Sequence, residues 1–515
     1  MSLEDELQPV FSALSDGKSA QVQALARNLL AQTPNDPRGA LLLLFSLCWD
    51  GTLLRAQEES LDNLFTKEDK PYPASSTAAI HLFRTHLLQK RRLVALNDLA
   101  EFLISHINTS IERIDFTAEL FNRAGNEQRV DELNQLADEI LNKRCQTQKD
   151  SRYLDASELY GIVGEMALSF GCLTLLEKLE LSQFPAPKIY AQPDASVANL
   201  CFLDYWRDHL EFAENPEEME ELPDETHKQA WRFCSWKLPD GSVRHHDDVL
   251  TYALCRWENL GNPPLFSLKS EHRDRGNETI QKLGLPKDAW HVCLHVREQG
   301  YHNDHTDLVS SDRNVKIESF FPAIEAITKR GGWVVRMGDR SMSPLPPMEG
   351  VIDYPFSEHK SDWMDVYLTA TSRFLLGTAS GLFLIPTFFG VPNIITNQTP
   401  ISQRPYSSKD LFIFKRYRDM RDGKIIPLAD SCTMPLRGTK NAPFLRGIEV
   451  DVIDNTAEEI GDVTLEMLDT LDGKQQTDKE ATNLRQQLNQ LTGHDFGFPV
   501  PQVGASFIKS VADLF

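Results

Sequence analysis

Arg297, Arg336 and the run Gly377-Thr378-Ala379-Ser380-Gly381 suit one kind of chemistry, the holding of phosphate. An arginine presents a fixed fork of donors that matches phosphate oxygens. A turn of small residues that opens a helix leaves backbone N–H groups at the positive end of the helix dipole, where an anion can come close. The plainer alternative is that Gly377 and Gly381 only close a crossover in a parallel sheet. Beside Arg297 stand His295 and Glu298, followed by the polar loop Gly300-Tyr301-His302-Asn303-Asp304-His305. Glu298, His302 and Asp304 are the candidates for a general base acting on a hydroxyl. His302 and His305 with Asp304 and Asp307 have the side chains of metal ligands. A solvated loop is the plainer account of them, and no metal site is assigned.

Alternating elements must bring these residues together. Residues 290–296 read as a strand, 317–330 as an amphipathic helix ended by Gly331-Gly332, 333–337 as a strand and 351–354 as another. A helix is expected over 362–371, a strand over 373–376, a helical segment from the small-residue turn to Phe389, and a strand over 393–396 after Gly390-Val391-Pro392. Repeated alternation of this kind implies a parallel sheet covered on both faces, with ligands beyond the C-terminal ends of its strands. That rim gathers His295, Arg297 and Glu298, then Arg336 and Asp339, then Asp353, then Gly377, Thr378, Ser380 and Gly381, and last Asn397.

The rest of the chain supplies the frame. At 515 residues it is long enough for about three domains. Its formal net charge of -22 argues against a surface built to neutralise nucleic-acid phosphates. The 8 cysteines are scattered without a C-x-x-C, so neither zinc nor a disulfide framework is expected. No apolar run is long enough to span a bilayer and the first residues lack an export signal, which points to the cytoplasm or the inner face of the membrane. Residues 1–182 are helix-patterned, with 21–30 and 38–48 flanking a Pro- and Asn-rich breaker. The rhythm is like that of tetratricopeptide hairpins, although no 34-residue period can be laid over it. Phe184-Pro185-Ala186-Pro187 marks a boundary, Lys188-Ile189-Tyr190 a short strand, and 194–213 a helical stretch. Asp194 and Asn199 would stand in the strand-to-helix turn of that first lobe, facing the cleft or capping the helix.

Familiar alternatives lack their motifs. The chain has no G-x-x-x-x-G-K-[ST], no G-x-G-x-x-G, no G-x-S-x-G and no Asp-x-Asp. A diphosphate held by Arg297 and the Ser380 turn without a metal fits transfer of a sugar from a nucleoside diphosphate, because positive groups aimed at the leaving diphosphate stabilise it.

The blocks LHVRE, SDRNVKIESFFPAI, GGWVVRMGD, the long run from Val351 to Asn397, and KDLFIFKRYRD, preceded by DASVANLCFLDYW, resemble a family of bacterial proteins assigned as glycosyltransferases in surface-polysaccharide gene clusters. The resemblance implies a GT-B fold, with two α/β lobes facing across a cleft and the donor held mainly by the second. His295-Val296-Arg297 is also similar to the H-x-R element of fucosyltransferases, which implies that Arg297 contacts the donor diphosphate. Arg313-Asn314, Arg336, Asp339, Asn397 and Lys415 match family positions without an implied role. Residues 1–182 lie outside the resemblance.

The expected architecture is therefore a helical domain over 1–182, an N-terminal α/β lobe over 183–285, a donor-binding α/β lobe over 286–455 and closing helices over 456–515. The expected activity is metal-independent glycosyl transfer without a cofactor, from a nucleotide sugar to a glycan, lipid-linked glycan or protein acceptor. The helical domain is a candidate docking surface for a protein partner. The rival reading is a non-catalytic scaffold that kept the fold and uses its helices to dock partners.

Overall fold

The computed structural model describes residues 3–33, 36–56, 153–181, 186–191, 195–213, 235–237, 243–298, 313–432, 449–474 and 477–515, with further single positions and short runs between 61 and 136 and at 436 and 445. The chain divides into two compact units. One comprises Met1–Ser151, Asp224–Lys237 and Pro443–Ile448, and the other Arg152–Pro223, Leu238–Ala442 and Glu449–Phe515.

The first unit contains α1 (Leu3–Ser15), α2 (Ser19–Gln32), α3 (Pro37–Trp49) and α4 (Leu93–Ser105). Asp36 starts α3: its carboxylate accepts from the Arg38 N–H at 2.9 Å, and Pro37 occupies the first turn, where a missing N–H costs nothing. The breaker before α3 thus acts as the helix start that its composition predicts. Phe11, Phe45 and Phe83 form the aromatic core, with Phe45 and Phe83 stacked at 4.3 Å.

The second unit is built on a parallel sheet. Its strands are β3 (His291–His295), β4 (Trp333–Arg336), β5 (Val351–Asp353), β6 (Leu375–Thr378), β7 (Asn393–Gln398), β8 (Leu411–Phe414) and, after the antiparallel pair β9 (Arg416–Asp419) and β10 (Val450–Ile453), the short edge strand β11 (Gln502–Val503). The seven strands lie in the order β11-β8-β7-β6-β3-β4-β5. From β3 the chain steps outward to β4 and β5, returns to the other side of β3 as β6, and continues outward through β7 and β8. This is the doubly wound order with its switch point between β3 and β6. The central strands β3, β6, β7 and β8 are buried along their length without alternation, as in the His-Val-Cys-Leu-His run of β3, because helices cover both faces.

In one group of helices Phe321–Lys329 packs on β4 and against the helix Ala457–Leu471, which in turn packs on β7 and β8. The other group includes α5 (Val163–Lys178), the helices Leu200–Trp206 and His246–Asn259, the helix Asp362–Thr371, and the segment Gly381–Phe388, a 3-10 turn followed by one α turn. α5 is buried without interruption from Met166 to Leu176, so it has no amphipathic face and reads as a core helix. The sequence reading put 163–178 with the helical domain; contacts put it with the sheet. A small parallel pair, β1 (Tyr153–Asp155) with β2 (Lys188–Tyr190), precedes the main sheet and is extended by an Ile189 to Phe212 bridge. The helical stretch expected over 194–213 is the helix Leu200–Trp206, capped by Asn199.

Two features of the second unit can be tested directly. A Cβ on Gly381 would lie 2.6 Å from the Gly164 amide nitrogen, backbone against backbone, so Gly381→Ala should separate the first turn of α5 from the Ser380 turn. A lowered melting temperature, larger than for Gly461→Ala in the same unit, where a Cβ meets only Pro322 Cβ at 3.7 Å, is the expected result.

Asp410 is buried and accepts from the Asn393 and Ser407 amides at 2.7 and 3.0 Å. Burial pushes its pKa up to about 7. A carboxyl whose pKa is raised on folding contributes stability below its unfolded pKa and loses it as pH rises through the folded value. Asp410→Asn should therefore flatten the loss of melting temperature between pH 5 and pH 8 relative to wild type.

Candidate active site at the switch point

The crevice of a doubly wound sheet opens where neighbouring strands lead the chain in opposite directions, and here that place is the C-terminal end of β3 and β6. Three contacts join the two ends. Gly377 pairs with His295 in the ladder, and a Cβ there would lie 2.0 Å from the His295 carbonyl oxygen. The Thr378 hydroxyl, itself buried, accepts from the Arg297 N–H at 2.9 Å. Ser380 Oγ lies 3.0 Å from His295 Nδ1. Both glycines of the run are thus required by close backbone approach, Gly377 to β3 and Gly381 to α5, whatever else the turn binds.

Arg297 is part-exposed just beyond β3, and its Nε donates to Asn314 Oδ1 at 3.1 Å. Asn314 therefore sets the direction of the fork. Its place in the site depends on a contact seventeen residues on, which spacing alone does not reveal. His295 is part-exposed, with Ser380 as the hydrogen-bond partner of Nδ1. Its pKa falls to about 4, first from burial and then from the neighbouring cations Arg297 and Arg336, so the ring is neutral at pH 7.

Arg336 differs from the expectation of a second positive group facing the rim. It is fully buried, its Nη2 donates to Glu298 Oε1 at 2.5 Å, and its Nη1 donates to Asp353 Oδ1 at 3.1 Å and to the Ser343 carbonyl at 2.7 Å. The other oxygens of the two carboxylates accept from the Ser343 and Leu345 amides. This network ties the ends of β3, β4 and β5 to one loop. Glu298, a candidate base, is held by Arg336 as an acceptor and is a brace in this geometry. The reason is the position of Arg336 inside β4, where a side chain between covered faces must find its counter-charges within the protein.

Asn397 also turns inward. Its backbone is left-handed, with φ of 54°, and its side chain and amide exchange hydrogen bonds with Asn455 at 2.8 and 2.6 Å. It clasps the end of β7 to the segment before the helix Ala457–Leu471. Asp339 accepts from the Ser341 amide at 2.7 Å and closes the turn after β4. Asn199 caps the helix Leu200–Trp206 by accepting from the Phe202 N–H at 2.8 Å, and its amide donates to the Asp362 carbonyl. Asp194, His302 and Asp304 lie outside the described residues. The structure therefore brings His295, Arg297, Thr378, Ser380 and the two glycines together, with Asp339 close by, and places Arg336, Glu298, Asn397 and Asn199 in internal networks.

No family model and no curated protein matches the chain. Among solved structures, the crystal structure of the glycosyl transferase family 9 from Veillonella parvula DSM 2008 is similar over 48% of this chain and 82% of that chain, at 12% identity and a TM-score of 0.27. Among the described residues, no helix is long and apolar enough to cross a membrane.

Removing one partner of a buried, hydrogen-bonded ion network leaves the others uncompensated. Arg336→Met should cost about 3–5 kcal/mol of stability, read by denaturant unfolding, whereas Arg297→Ala at the part-exposed rim should cost less than half as much.

Proposed function

We propose that this chain is a metal-independent glycosyltransferase that uses a nucleoside-diphosphate sugar. The observation that carries the reading is the convergence of His295, Arg297, Thr378 and Ser380 on the switch point of a parallel sheet in doubly wound order. An arginine fork aimed by Asn314 is suited to the leaving diphosphate, whose developing charge it would offset without a metal. With Glu298 tied to Arg336, the base that takes the proton of the acceptor hydroxyl is sought first at His302 and Asp304.

In this reading the seven-stranded domain is the donor lobe of a GT-B-like pair, and the small β1–β2 sheet with its helices is a reduced first lobe. The boundaries at residues 285 and 455 are proposed on the same basis, with the first lobe beginning near residue 152 instead of 183. The acceptor is a glycan, a lipid-linked glycan or a protein, met in the cytoplasm or at the inner face of the membrane. The helical unit, with its tetratricopeptide-like hairpin α2–α3, is proposed to dock a protein partner.

A thermal-shift screen against GDP, UDP, CDP, ADP and TDP, without added metal, tests the donor site. A ligand at one hundred times its dissociation constant adds about 2.7 kcal/mol, which appears as a rise of several degrees in melting temperature. One nucleotide should stabilise the wild type and leave Arg297→Ala unmoved. Absence of a shift with all five would favour the non-catalytic scaffold.

A further inference from the structure

His295 occupies an unusual position in the crevice. Its Nδ1 is engaged by Ser380, while among the described residues Nε2 has no hydrogen-bond partner. The charged groups that act on it are Arg297 just beyond its own strand, Arg336 of β4, Asp339 of the turn after β4 and Lys360 of the loop before the helix Asp362–Thr371, while the Ser380 hydroxyl of the β6 turn is its hydrogen-bond partner. Three of the charged groups are cations and one is an anion. Arg336 is already neutralised by Glu298 and Asp353. Lys360 is likewise paired with Asp365. Burial first, and Arg297 next, hold the ring neutral in the free protein, in a crevice where an anion would favour the charged form.

We propose that binding of a nucleoside diphosphate in this crevice is coupled to protonation of His295, so that the imidazole enters the complex as a cation. The inference rests on the diphosphate reading above. A diphosphate brings two to three negative charges to within contact distance of Arg297 and the Ser380 turn. Its charge opposes the neighbouring cations that help depress the His295 pKa, and so favours the charged ring. The proton comes from solvent, and the hydrogen-bond inventory says where it goes. In the neutral ring one nitrogen donates and the other accepts, so the pair His295–Ser380 sends a single donor outward: the Nε2–H if Ser380 donates to Nδ1, or the Ser380 O–H if Nδ1 carries the hydrogen. In the imidazolium both nitrogens donate. Nδ1–H then points at Ser380 Oγ, the serine hydroxyl turns outward, and Nε2–H is a second outward donor. Protonation thus converts one neutral donor into two charge-assisted ones without moving a heavy atom. When the diphosphate leaves the crevice, the proton returns from His295 to solvent.

The test is titration calorimetry of the full chain with whichever of the five nucleoside diphosphates raises the melting temperature, at pH 7.5, in buffers of different ionisation enthalpy. At that pH the free nucleotide is almost fully ionised and takes up little proton itself. Wild type should absorb about half to one proton per site, and its Kd should weaken by up to about tenfold per pH unit above the pKa of the complex. His295→Asn, whose amide reaches the place of Nδ1, should bind more weakly, with heat independent of buffer. Buffer-independent heat and a flat affinity in wild type would overturn the coupling while leaving the diphosphate site standing. Uptake that persists in His295→Asn would assign the proton to another group and also overturn it. If His295→Asn does not bind, the proton count in wild type still decides. If no diphosphate binds in any buffer, the donor-site reading fails first.

Discussion

The ladder between β3 and β6 is the contact on which the second unit depends. These two strands are far apart in sequence, and the chain reaches the second only after building β4 and β5 on the far side of the first. At the last rung Gly377 meets His295 with no room for a side chain, since a Cβ would sit 2.0 Å from a carbonyl oxygen. Closing that rung aligns the Thr378 hydroxyl with the Arg297 amide and the Ser380 hydroxyl with the His295 ring. The same turn then continues into Gly381, where the backbone of α5 comes equally close. Two glycines therefore fix a strand on one side and a helix on the other, and the polar groups between them have little freedom left.

Buried polar side chains hold the remaining strand ends, and each does so by a different balance. Arg336 is matched by two carboxylates and a carbonyl. Asn397 and Asn455 satisfy one another across the ends of β7 and β8, with the Asn455 amide also reaching the Phe414 carbonyl. Lys415, buried just beyond β8, donates to Asp454 at 2.7 Å. Arg404 is balanced without a direct carboxylate partner among the described residues. It is buried, donates to Thr492 Oγ1 at 2.9 Å and lies over the Phe412 ring, with Asp248 reached only through Thr492 and His494. Its pKa falls to about 10 through burial. Networks of this kind cost desolvation energy and repay it in a single arrangement of loops. A rim assembled from several strand ends needs such rigidity, because no one element carries enough of the site to orient it.

Burial also separates residues that look alike in sequence. Arg297 and Arg336 each close a Val-Arg pair at the end of a strand, and both were expected at the rim. One lies two residues past its strand and is part-exposed beside Asn314; the other is the final residue inside its strand and meets two carboxylates. A difference of one or two positions along a strand decides whether a guanidinium serves a ligand or the fold.

The elements of the sheet domain were legible because their patterns are local. The helix over 362–371, the strands near 291–295, 333–336 and 393–398, and the capped helix that begins at Thr456 follow from apolar periods and caps, which neighbouring residues determine among themselves. The rule that ligands meet the C-terminal ends of parallel strands likewise selected His295, Arg297, Thr378 and Ser380. The sequence could not say that β3 and β6 are neighbours, because that pairing is settled by contacts across 81 residues, as between Arg297 and Thr378. It could not place α5, whose uniform apolarity suits any core, nor find Gly164, whose partner lies more than two hundred residues on. By itself the sequence determined the types of element and the residues at their ends. Only the tertiary structure decided which of those residues face one another, because strand order, burial and the counter-charge of each ionisable group are properties of distance in space.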